Sequence, residues 1–112
     1  MNIKERIKEI CNDNGFTFEI SREKKEYFCY LGTYTNAGQE WFVKFNCKNS
    51  HDLLTQIDTY LSNYDADYEA SLWIGDDGHG TNGAPYHIAD IVADMMDGWN
   101  KLNKLYKELK KI

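Results

Sequence analysis

Hydrophobic residues at the start of the chain recur at helical spacing. Ile3, Ile7 and Ile10, with Cys11 beside them, predict a helix over residues 2–14. Asn2 can cap its start, and Gly15 can end it in a left-handed conformation. The period then shortens to two. Phe16, Phe18 and Ile20 alternate with Thr17 and Glu19, which predicts a half-buried strand over 16–20. The charged run 22–26 follows as a hairpin loop. Residues 27–34 are apolar at both parities, the signature of a central strand covered on both faces. Asn36 and Gly38 supply a turn. A third strand over 40–47 puts Trp41, Val43, Phe45 and Cys47 on one face, with Lys44 and Asn46 opposite. Three strands joined by short links imply an antiparallel meander.

The helical period returns after Cys47. Asn49 or Ser50 caps a second helix, Asp52 sits in its first turn, and Leu53, Leu54, Ile57, Tyr60, Leu61 and Tyr64 trace one face. Residues 63–70 read as an acidic turn, 71–74 as a short fourth strand, and 75–84 as a glycine-rich loop. Pro85 suits a first helical turn. From Tyr86 an apolar stripe (Ile88, Ile91, Val92, Met95, Met96, Trp99, Leu102, Leu105, Tyr106, Leu109, Ile112) runs almost to the last residue. Gly98 interrupts it, at about 1 kcal/mol or in exchange for a close packing contact or bend. The expected fold is α+β: an antiparallel three- to four-stranded sheet packed by helices in the order α-β-β-β-α-(β)-α, with a long C-terminal helix, residues 1–112 forming one domain.

Composition adds little until charge is mapped. The 112 residues are 42% hydrophobic and 28% charged, ordinary globular usage, and the net charge is −5. No apolar run is long enough to span a bilayer, and residues 1–10 carry no signal-peptide core, so the expected location is the cytoplasm, with no membrane partner. Cys11, Cys29 and Cys47 lack metal or redox spacing and read as buried thiols. The charge distribution is more telling. Residues 49–100 hold 10 acidic residues and no Lys or Arg. Nine of these acids, Asp58, Asp65, Asp67, Glu69, Asp76, Asp77, Asp90, Asp94 and Asp97, are the candidate partner-binding residues. A surface of this sign repels phosphate, so direct nucleic-acid binding is not expected, and a basic protein groove is the natural counterpart. The lysines of 101–112 suit the negative end of the last helix.

Other motifs are weaker. Gly78-His79-Gly80-Thr81-Asn82-Gly83 fits a dinucleotide fingerprint, but no strand follows the next helix and Asp76 and Asp77 repel a pyrophosphate. Asp76, Asp77, His79 and His87 are the best metal candidates, yet none of the strict metal-site spacings occurs. Asp65-Ala66-Asp67-Tyr68-Glu69 opens like an EF-hand loop, but Ala70 stands where that loop needs glycine. No cofactor and no catalytic residue is expected. Tyr60, Tyr64, Tyr68, Trp73 and Tyr86 are interleaved with the acids, and any left at the surface would form an acidic-aromatic patch of the kind that anchors interfaces.

The segment from Tyr27 to Phe45, with Leu31-Gly32-Thr33-Tyr34, then Gly38, then Trp41-Phe42, resembles the opening strand pair of the antirestriction proteins of conjugative elements, and the acidic Asp65–Glu69 stretch extends the likeness to residues 27–77. The resemblance implies a DNA mimic that blocks a nucleic-acid-binding defence enzyme. Family members are longer and more acidic. The leading expectation is therefore a non-enzymatic inhibitor from a mobile element, acting on a restriction or RNA-guided (CRISPR) nuclease. The alternatives are an immunity protein against a nuclease toxin, a small metal-binding module or enzyme built on Asp76, Asp77, His79 and His87, and a homodimer formed by the last helix.

Overall fold

The computed structural model describes residues 2–75 and 88–112. Its elements are α1 (Ile3–Asp13), β1 (Thr17–Glu23), β2 (Glu26–Tyr34), β3 (Glu40–Cys47), α2 (Ser50–Asn63), α3 (Ala66–Gly75) and α4 (Ile88–Leu109). The caps form where the sequence places them. The Asn2 side chain accepts the Glu5 N–H at 2.9 Å, and that of Asn49 accepts the Asp52 N–H at 2.8 Å. Gly15 adopts φ +78° and turns the chain from α1 into β1.

The sheet has the order β1-β2-β3, antiparallel throughout. β1 and β2 extend to Glu23 and Glu26, so the expected five-residue loop shrinks to Lys24-Lys25, with Lys24 at φ 58°. β3 alternates strictly. Trp41, Val43, Phe45 and Cys47 are buried, and Glu40, Phe42, Lys44 and Asn46 are exposed. α1 lies on β1 and α2 on β3, with α4 packed against both α1 and α2. Phe16, Phe18, Leu31, Val43, Ile57, Met95 and Leu105 meet in the core between helices and sheet. α2 and α4 run antiparallel: Tyr64 Oη donates to the Met95 carbonyl (3.4 Å), and Trp99 Nε1 donates to the Leu61 carbonyl (2.9 Å).

Two expectations are corrected. Residues 71–74 are helical, part of α3, and no fourth strand occurs among the described residues. A four-residue apolar run has no period of its own, and the Asp65 carboxylate, accepting the Asp67 and Tyr68 N–H groups at 3.0 and 3.2 Å, starts a helix just before it. β2 is central but not covered on both sides. Among the described residues, all the helices that touch the sheet lie on one face, and Phe28 and Tyr34 project from the other into solvent.

Candidate protein-binding surface

The cation-free stretch builds α2, α3 and the first half of α4. Several of its carboxylates hold backbone. Asp52 Oδ2 accepts the Lys48 N–H (2.9 Å) and Gln56 Nε2 (3.0 Å), tying the end of β3 to α2. Asp65 caps α3. Asp97 Oδ2 accepts the Asn36 N–H at 2.7 Å and pairs with Lys101 at 3.2 Å. Lys101 in turn donates to the Tyr34 carbonyl and to Asn36 Oδ1. Asp97 and Lys101 thus bind the β2–β3 turn to α4.

Asp94 is placed differently from the expectation. It is only 5% exposed, and its Oδ2 atom has no hydrogen-bond partner among the described residues. Its position on α4 falls on the core-facing stripe with Ile91, Met95, Leu102 and Leu105, so this carboxylate is not offered to a partner. Glu69 is partly buried, and its charge, like that of Asp94, acts on Tyr64. Asp58, Asp67 and Asp90 are exposed. Asp76 and Asp77 lie outside the described residues.

The seven described acids therefore do not form one continuous patch. The charges of Glu69 and Asp94 both act on Tyr64. Asp58 faces Tyr106, 12 residues further along α4 than Asp94, or about 18 Å at the helical rise. Asp67 and Asp90 stand in the first turns of α3 and α4, where the helix dipole also favours an anion.

The aromatic residues are mostly structural. Trp41 packs edge-on against Tyr60 and Tyr64 at 6.2 Å, and Phe45 edge-on against Tyr60 at 6.0 Å. Burial pushes the Tyr64 hydroxyl up to about 12, with Glu69 and Asp94 adding to the shift, and raises Tyr60 as well. Both remain neutral in ordinary conditions. Of the five aromatics interleaved with the acids, Tyr68 projects into solvent, Tyr60 and Tyr64 join the core, and the Trp73 side chain and Tyr86 fall outside the described residues.

The metal candidates Asp76, Asp77, His79 and His87 also lie outside the described residues, and no metal-competent group of three His, Cys, Asp or Glu occurs among those described. The three cysteines are buried and free. Burial pushes Cys11 and Cys47 up to about 12 and raises Cys29, so these thiols stay protonated and unreactive.

Sequence reasoning missed the surface that is richest in exposed rings among the described residues. On the open face of the sheet Phe42 is 49% exposed, Tyr34 65% and Phe28 37%, and the Tyr30 and Phe42 rings stack at 5.7 Å. The signal was present, since Phe42 falls on the otherwise polar face of an alternating strand. No family model, curated protein or solved structure matches this chain.

Proposed function

We propose that this protein is a non-enzymatic inhibitor that binds a basic, nucleic-acid-binding groove on a defence nuclease, with carboxylates standing in for phosphates. One observation carries the reading. Lys101 pairs with Asp97 and Lys111 with Glu108, and among the described residues no lysine or arginine pairs with Asp58, Asp67 or Asp90. Residues 76–87 contain no Lys or Arg that could neutralise these three. Asp58, Asp67 and Asp90 are therefore exposed negative groups in a field that a cationic partner would relieve. The resemblance of residues 27–77 to antirestriction proteins supplies the class of partner.

The test is plating of unmodified phage on hosts that carry restriction or RNA-guided systems and express this protein. Plating efficiency rises, and purified protein protects DNA from the same nuclease. The triple variant Asp58→Lys, Asp67→Lys, Asp90→Lys loses protection while keeping its circular dichroism spectrum. Asp94→Asn, a change at a buried position, keeps it. Affinity for the nuclease falls by at least about tenfold as salt rises from low to physiological concentration and beyond. Full protection by the triple variant, or no protection against any nuclease in the panel, rejects the proposal.

A further inference from the structure

We propose that the open face of the sheet is the interface of a symmetric dimer of this chain. The face is formed by Thr17, Glu19, Ser21 and Glu23 of β1, Glu26, Phe28, Tyr30, Gly32 and Tyr34 of β2, and Glu40, Phe42, Lys44 and Asn46 of β3. Among the described residues, helices cover the opposite side only. The rings are held in place, not loose. Tyr30 lies across Gly32, where any Cβ would collide with it, and donates its hydroxyl to Glu40 Oε1 at 2.9 Å. Lys44 Nζ stands 5.5 Å from the Phe42 ring centre. Exposed aromatic residues on a preorganised sheet are the usual core of an interface.

The charges select the occupant. Single-stranded nucleic acid would suit the stacked rings, but it needs several cations, and this face offers Lys44 against Glu19, Glu23, Glu26 and Glu40. A second copy fits. Glu40 and Lys44 lie two residues either side of Phe42 on the same strand face. Consider a two-fold axis along the row Thr17–Gly32–Phe42, perpendicular to the strands. It places Phe42 over its symmetry mate, Tyr30 over the mate of Tyr34, and Glu40 over the mate of Lys44, twice. An isologous interface requires this self-complementarity. Two such faces pack about 10 Å apart, within reach of both the rings and the charged side chains.

Area sets the strength. An axis through Phe42 lets about five residues of each strand overlap, roughly 17 by 14 Å, and side-chain relief brings the total buried surface to about 600 Å². That is below the usual size of a stable interface, so the dimer is weak, reversible and concentration-dependent. The last helix offers no comparable surface, because its stripe of Ile91, Met95, Leu102, Leu105 and Leu109 is already buried in the core.

Sedimentation velocity over a series from about 1 µM to about 1 mM tests the assignment. The wild-type chain shifts from monomer to dimer. Phe42→Lys and Tyr34→Lys, both at exposed positions, stay monomeric with unchanged circular dichroism. Glu40→Lys alone and Lys44→Glu alone each bring like charges together and weaken the dimer at least about tenfold. An equimolar mixture of those two variants restores association, because each then meets its opposite. Lys44→Glu keeps the Tyr30–Glu40 hydrogen bond and controls for its loss in Glu40→Lys. A wild-type chain that stays monomeric at 1 mM overturns the proposal. So does a dimer indifferent to Phe42→Lys, and a mixture that fails to associate overturns the two-fold register. None of these results depends on Asp58, Asp67 or Asp90, so the nuclease proposal stands or falls separately.

Discussion

Gly98 shows how one residue joins local preference to global packing. By helix propensity alone, alanine there should gain about 1 kcal/mol. Yet a Cβ built at Gly98 sits 2.5 Å from atoms of the Trp41 ring, itself clamped by Tyr60 and Tyr64. The ring has nowhere to retreat, so overpacking outweighs the propensity gain. Gly98→Ala is expected to destabilise the protein by about 1–2 kcal/mol net in urea unfolding. A gain in stability would show that α4 does not approach the sheet this closely. The sequence marked Gly98 as either a defect or a contact, and only the position of Trp41, 57 residues earlier in the chain, decides between them.

At the scale of elements, capping explains both the successes and the main error. Asn2, Asn49 and Gly15 sit where side-chain chemistry and backbone freedom place helix ends, so α1 and α2 were legible. Asp65 is equally legible as a cap, and its carboxylate does that work in α3. The carboxylate holds two N–H groups of α3, a ten-residue helix that packs on α4. Asp65→Ala is therefore expected to cost about 1 kcal/mol, and to raise amide hydrogen exchange in the first turn of α3 before any other element. Uniform loss of protection across the sheet would contradict this. Capping and apolar spacing are local, which is why they can be read along the chain. β2 shows the opposite case, since its two apolar faces implied two covering layers, and the open one keeps its rings in solvent.

For the whole molecule, buried thiols and phenols tie stability to alkaline pH. Cys11, Cys47 and Tyr64 are held near 12, and Cys29 and Tyr60 are also raised, chiefly by removal from water. Each folded-state value lies above its unfolded one, so the unfolded chain releases protons first as pH rises. The contribution is whole below about pH 9 and is lost between about pH 9 and 12, up to roughly 4 kcal/mol for the fully buried Cys11. Melting temperature should be level from pH 7 to 8.5 and fall steadily above 9, with Cys11→Ala flattening part of the decline. A level profile to pH 11 would mean the thiols are not held from water. The same interior separates the acids into those that hold the fold together (Asp52, Asp65, Asp97), one that is buried (Asp94), and those that face out (Asp58, Asp67, Asp90).

By itself the sequence determined three strands with their inward residues, two helices with their caps, and the cation-free stretch. Each of these depends on neighbours within a turn or a strand, where spacing alone carries the information. Only the tertiary structure decided that residues 71–74 continue a helix, that Asp94 is buried, and that one face of the sheet stays open. A period reveals which residues share a face. What lies opposite that face depends on contacts between distant segments, which no local pattern encodes.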